Sequence, residues 1–203
     1  MKRLLRATIA LAALALTTPA LAQQANRTEP KLGLGVGISN SLMITGDQTA
    51  KPDMGYLFFI PFNVTPQIRV EPFIGWARLD TDASGKDSDF TIGVGGFFVQ
   101  PVATQVQLYA GGRLGSRWVS HKDPAYGAPG TVKNERRDTI LALAAGGEYL
   151  PVPRVALGAE FQLGYVSVGD TTTTLGQTGA QRTGGGGSGT NTQATLFARI
   201  YLF

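Results

Sequence analysis

The sequence predicts an all-β chain: an eight-stranded antiparallel up-and-down transmembrane β-barrel with short periplasmic turns and long extracellular loops. Three observations carry this. Eight segments alternate apolar residues with small or polar ones at period two. The connections between them alternate short and long. The aromatic residues of the apolar face gather near the segment ends.

The chain has 203 residues, no Cys and 27 Gly. It opens MKRLLRATIALAALALTTPALA. Three cations, Lys2, Arg3 and Arg6, start an apolar stretch that runs to Leu16, and a small-x-small site, Ala20-Leu21-Ala22, closes it. This is the three-part layout of a secretory signal peptide. The stretch is too short for the ~20 residues of a spanning helix. Residues 1–22 are read as a signal peptide, 23–30 as a short periplasmic segment and 31–203 as the barrel. Without the first three cations, 15 basic residues stand against 14 acidic ones. A near-neutral chain gives no reason to expect nucleic acid as a partner. With no thiolate available, no metal or redox site can be built on sulfur, and no cofactor is expected.

The segments follow in order. The first, 31–39, sets Leu32, Leu34, Val36 and Ile38 against Gly33, Gly35 and Gly37. The second, 54–64, carries Tyr56, Phe58, Ile60 and Phe62, with Pro61 inside it. The third, 68–79, sets Val70, Ile74 and Trp76 against Arg69, Glu71 and Gly75, and contains Pro72. Each proline removes a ladder donor. The two fall near each other across a turn at 65–67, so a local bulge is expected. The fourth, 89–100, sets Phe90, Ile92, Val94 and Phe98 against Gly93 and Gly95. The fifth, 105–118, sets Val106, Leu108, Leu114 and Trp118 against Gln107, Gly111, Arg113, Gly115 and Arg117.

The sixth, 138–150, sets Leu141, Leu143 and Tyr149 against Ala142, Ala144, Gly146 and Glu148. The seventh, 154–167, sets Val155, Leu157, Phe161, Leu163 and Tyr165 against Gly158, Glu160, Gln162 and Gly164. In the eighth, 193–203, Leu196, Ala198, Ile200 and Leu202 form the cleaner apolar row, and Arg199 shares the other face with Phe197, Tyr201 and Phe203. An Arg facing lipid at mid-bilayer costs roughly 2–4 kcal/mol. Arg199 is therefore expected inside, with a bulge or end distortion that lets Phe203 reach lipid.

A soluble barrel turns its apolar face inward. A membrane barrel turns it outward to lipid and fills its lumen with small and polar side chains. The connections decide between them. Those at 65–67, 101–104 and 151–153 are very short; the others are long, the longest at 119–137 and 168–192. Long loops confined to one end are an outer-membrane pattern. The outward aromatics then form two girdles. Tyr56, Trp76, Phe90, Trp118 and Tyr165 lie toward the long-loop end, and Phe62, Phe98 and Tyr149 toward the short-turn end, as expected at membrane–water interfaces.

These strands and the terminal ATLFARIYLF resemble the small eight-stranded outer-membrane barrels of Gram-negative bacteria, of the OmpX/OmpA and opacity-protein type. The resemblance covers the whole chain after residue 22. It implies an outer-membrane location. It also implies that Tyr201 and the terminal Phe203, with Ala198 as the small residue before them, form a signal read by the barrel-assembly machinery.

Several candidate sites follow. Arg69, Arg113, Arg117 and Arg199 should share the lumen with Glu71, Glu148 and Glu160. Buried charge persists when it is paired, and eight strands leave a lumen that side chains can fill. A structural plug is expected rather than a pathway. Arg78, Lys133, Arg136 and Arg137 are expected to contact lipopolysaccharide phosphates in the outer leaflet, where a guanidinium binds phosphate through a planar fork. Membrane lipids are thus expected partners. The stretch DTDASG at 80–85 begins like a calcium loop, but Thr91 stands where the bidentate Glu is required, so no metal is expected. His121 is the only His. Its neighbour Ser120 points to the opposite face of a strand, so no catalytic site is expected. The low-complexity runs TTTT at 171–174 and GGGGSG at 184–189 are expected to be mobile.

The reading is a structural or cell-surface interaction protein that works through its extracellular loops, whose ligand is left open. The alternative is a small-solute channel. A lipid-modifying enzyme is the more distant one.

Overall fold

The computed structural model describes residues 32–43, 53–81, 85–124, 131–176 and 178–202. Among them run eleven strands: β1 (Gly33–Met43), β2 (Asp53–Phe59), β3 (Phe62–Thr65), β4 (Ile68–Thr81), β5 (Gly85–Ala103), β6 (Val106–Pro124), β7 (Thr131–Val152), β8 (Val155–Val168), β9 (Thr171–Leu175), β10 (Gln181–Gly184) and β11 (Gly187–Tyr201). Neighbours pair antiparallel from β1 round to β8. β11 then pairs with both β8 and β1 and closes the ring. Since β2 and β3 occupy one position beside β4, the ring has eight strands. Closure leaves no free edge within the ring itself.

Following the register once round the barrel from Gly75 returns to β5 at Pro101, whereas the direct partner of Gly75 is Thr91. That ten-residue stagger corresponds to a strand tilt within the roughly 35–45° of transmembrane barrels. Outside, Leu34, Val36, Phe58, Ile74, Leu114, Leu143, Leu163 and Leu196 stand exposed in rows. Inside lie charged, small and aromatic side chains.

The inner face is less uniformly small than the sequence pattern suggests. Phe59, Phe97, Tyr109, Phe197 and Tyr201 are buried there, with Phe73 packed against them. Glycines opposite make the room. A Cβ on Gly158 would stand 2.3 Å from the Phe197 ring, and one on Gly146 would stand 2.5 Å from the Tyr109 ring. The rings take up lumen volume that glycine and small residues alone would leave open.

Two expectations are corrected. The prolines cause no bulge. Ile60 and Pro61 interrupt the ladder between β2 and β3, but the register is the same on both sides: Phe59 faces Phe73 and Phe62 faces Val70. Backbone bonds persist around the gap, from Ile60 N to Pro72 O at 3.0 Å and from Gly33 N to Pro61 O at 2.9 Å. The irregularity lies instead at the turn, between Asn63 and Thr65. β11 keeps one register with β1 as far as Tyr201, so no bulge precedes that residue, and an end distortion at Phe203 falls beyond it. Phe203 lies outside the described residues, as do residues 1–31 and the middle of DTDASG.

The second correction concerns the connection 168–192, which is not a featureless loop. Thr171–Leu175 form β9, which pairs with β7 over Val132–Glu135, and β10 pairs with β9. β-branched Thr favours a pleated strand, and β7 offers it an open edge above the last β8 pair. Strands β5, β6 and β7 run 19, 19 and 22 residues, against about 9–11 needed to cross a bilayer. Their upper ends stand out of the membrane as a sheet that β9 and β10 widen.

Candidate functional site

The lumen holds six ionised side chains, none more than 4% exposed: Arg69, Glu71, Arg113, Glu148, Glu160 and Arg199. Strand alternation aims each inward from β4, β6, β7, β8 or β11. Glu148 accepts from both Arg69 and Arg199, and from the Tyr201 hydroxyl at 3.0 Å. Glu71 lies between Arg113, at 2.6 Å, and Arg199, at 2.5 Å. The Arg199–Glu71 contact is an ion pair without hydrogen-bond alignment, since Glu71 Oε2 and Arg199 Nη2 have no hydrogen-bond partner. Glu160 takes Arg113 through Nε at 2.7 Å and Nη2 at 2.9 Å, with Tyr109 Oη at 2.9 Å and Gln162 Nε2 at 2.7 Å. Three positive and three negative groups thus form one neutral network, the condition under which charges persist out of water.

The aromatic rings complete this network. The Arg113 guanidinium lies 4.9 Å from the Phe97 ring centre and 5.0 Å from that of Phe73. Arg199 lies 4.0 Å from the centre of Phe197. Ring faces attract a desolvated guanidinium, so faces not bound to carboxylate still meet negative potential. Arg69 also donates from Nε to Asn63 at 3.1 Å.

Arg117 does not join this layer. It pairs with Asp138 at 2.8 Å, nearer the extracellular mouth, and stands 3.8 Å from Asp89. Asp138 is buried and also accepts from the Gly169 backbone N–H at 3.3 Å. Asp138, Tyr109 and the aromatic linings were missed from sequence. Parity was the available signal: Asp138 shares it with Glu148, and Tyr109 with Arg113.

On the outer wall, Tyr56, Trp76, Phe90 and Trp118 are direct cross-strand neighbours, and Arg137 follows Trp118 in the same row. All four rings are exposed, as are Tyr165, Phe62, Phe98 and Tyr149. An exposed aromatic row above an exposed apolar band is what a lipid-facing wall presents. A family model described as outer membrane protein beta-barrel domain matches residues 8–196.

The chain belongs to the outer-membrane β-barrel family.

Solved structures share the fold of this outer-membrane barrel. Neisserial surface protein A superposes with a TM-score of 0.56 at 13% identity, covering 84% of this chain and 96% of that one. A major outer membrane protein from Thermus thermophilus gives 0.61 at 13% identity, covering 84% and 98%. No curated protein sequence matches.

The four cations grouped from sequence as outer-leaflet contacts of the barrel separate by face. Arg78 is exposed on the outer wall, one outward step above Trp76. Arg137 lies with its guanidinium 5.0 Å from the Trp118 ring centre and within 3.4 Å of the Ser116 hydroxyl. Lys133 pairs with Glu135 at 2.7 Å. Arg136 is different. It has the inward parity of Asp138 and donates to it at 3.3 Å. The sequence reading began the sixth strand at 138, and the alternation that assigns Arg136 to the lumen starts seven residues earlier.

His121 pairs through Nδ1 with Asp87, its direct neighbour on β5, while Ser120 takes the opposite face beside Ser88. Among the described residues no cluster of His, Asp or Glu suited to a metal ion occurs.

Proposed function

We propose that this outer-membrane barrel is a structural, cell-surface protein whose lumen is closed and whose working surface is the extracellular sheet and loops. The observation that carries the reading is the network joining Arg69, Arg113 and Arg199 to Glu71, Glu148 and Glu160. It ties β4 to β6, β7, β8 and β11 across the axis with almost no exposed surface. A solute passing through would have to break buried ion pairs, at about 3–5 kcal/mol for each partner removed.

Export through residues 1–22 and delivery to the assembly machinery by Phe203 belong to the same reading. Tyr201 accompanies Phe203 in that signal, and in the folded barrel its hydroxyl donates to Glu148.

Planar-bilayer recording tests the reading. The purified full chain should show no stable conductance step, and the Glu71→Ala/Glu148→Ala double variant should show one. Steady conductance by the parent would make the small-solute channel the better account.

A further inference from the structure

The protruding ends of β5, β6 and β7 sort their charges by face. Inward stand Asp87, Asp89 and Asp138, matched by His121, Arg117 and Arg136. Outward stand Lys86, Lys122 and Lys133, and these three are direct neighbours in register: Lys86 opposite Lys122, and Lys122 opposite Lys133. Glu135 meets Lys133. Like charges placed directly opposite on one sheet face repel, with Cβ atoms only about 4.5–5.5 Å apart. Glu135 answers one of these three ammonium groups, and the row keeps an excess of positive charge.

The same strands show what kind of anion. One outward step below the lysines runs the row Arg78, Ser88, Ser120 and Glu135, and one step below that the row Trp76, Phe90, Trp118 and Arg137. A groove of about 700 Å³ opens here on Ile74, Trp76, Phe90 and Trp118, with Arg136, Arg137 and the carboxylates of Asp89, Glu135 and Asp170 along its rim. From Trp118 to Lys122 is about 13 Å along the strand, or about 10 Å in height at the tilt of such barrels. The wall therefore changes upward from apolar to aromatic, to hydroxyl and guanidinium, to ammonium. A single amphiphile has that order: acyl chain, glycerol or sugar, phosphate. A soluble polyanion would use the lysines and leave the groove idle.

We propose that the outward upper face of β4–β7 is a seat for a multiply phosphorylated lipid of the outer leaflet. Lys86, Lys122 and Lys133 take one phosphate, Arg78 and Arg137 take the sugar-proximal one, and an acyl chain lies over Trp76, Phe90 and Trp118. The seat adds Lys86 and Lys122, while Arg136 borders the groove with its guanidinium engaged by Asp138. It depends only on outer-membrane placement, so a conductance result leaves it untouched.

The test uses the full chain, folded in detergent and passed into nanodiscs. The probes are bisphosphorylated lipid A, monophosphoryl lipid A and phosphatidylglycerol, with retained lipid read by native mass spectrometry. The variants are Lys86→Gln/Lys122→Gln/Lys133→Gln and, as a less disruptive second, Lys122→Glu alone. Arg154→Gln at the short-turn end is the control. The parent and the control should retain bisphosphorylated lipid A at least tenfold better than either lysine variant, and better than they retain monophosphoryl lipid A. All should keep the heat-modifiable shift of a folded barrel. Equal retention by parent and lysine variants overturns the proposal. So does parent affinity for inorganic pyrophosphate equal to that for bisphosphorylated lipid A, which would make this a soluble-anion site.

Discussion

The Tyr201 hydroxyl donates to Glu148 Oε2 at 3.0 Å, on the carboxylate that also receives Arg69 and Arg199. One carboxylate from β7 thus collects three donors from β4 and β11. It is buried near the short-turn end, just above the apolar cluster of Leu150, Ala156 and Tyr201.

Glu148→Ala takes from the buried Arg69 the carboxylate it pairs with, leaves Arg199 with Glu71, and removes the acceptor of the Tyr201 phenol. Its expected cost is about 3–5 kcal/mol. Glu135→Ala, which removes only an exposed partner of Lys133, should cost under about 1 kcal/mol. Urea unfolding in lipid vesicles measures both. A parent-like midpoint for Glu148→Ala would mean that water reaches this layer.

Tyr201 and Phe203 should separate by assay. Tyr201→Phe loses one bond to a charged acceptor, worth about 1.5–3 kcal/mol, while the aromatic ring that accompanies Phe203 in the signal is kept and assembly in cells proceeds normally. Deleting Phe203 should slow assembly and lower outer-membrane abundance. Wild-type abundance after the deletion contradicts a terminal signal.

Gly158→Ala places a methyl 2.3 Å from the Phe197 ring and 2.5 Å from the Gly147 carbonyl oxygen. Ring and backbone must both move, which costs about 1–3 kcal/mol or more. Gly96→Ala meets nothing within 4 Å and should stay within about 0.5 kcal/mol of the parent. The same unfolding assay compares them. A Gly158→Ala protein as stable as Gly96→Ala would mean Phe197 does not occupy that hollow.

Thr172→Pro removes a β9 ladder donor at its pairing with Glu135. Hydrogen exchange over 132–135 should quicken, while exchange over the barrel portion of β7 and the global unfolding midpoint stay unchanged. Unaltered exchange over 132–135 would show that β9 does not hold this edge in solution.

Within the bilayer the fold could be read residue by residue, because lipid on one side and a packed lumen on the other force strict alternation. The eight aromatic positions and Arg199 followed from that rule alone. Above the membrane both faces of β5–β7 meet water, and the hydrophobic contrast disappears. Lys86-Asp87 and Arg136-Arg137 then look like loop charge. The alternation continues there as a change of sign or of partner, which a hydropathy reading does not register. For the same reason TTTT, judged by composition, gave no sign of a strand. Its order depends on the protruding edge of β7, a neighbour that local sequence does not contain. The inward aromatics escaped notice because alternation tells which face a residue takes. Whether a ring fits there depends on glycines across the ring, such as Gly146 and Gly158.

Arg199 comes from the last strand of the barrel, yet it reaches carboxylates on β4 and β7. Until β11 docks, Glu71 lacks one of its two cations and Glu148 lacks both an arginine and a phenol. The same docking event joins β11 to β1 and to β8. Neutralising the interior and sealing the cylinder are therefore one event. A chain without its last strand keeps the Arg113 and Arg69 pairs but leaves Glu71 and Glu148 each short of a cation. Only the arrival of the final segment makes the interior dry, which makes completion abrupt and gives a finished barrel little tendency to reopen.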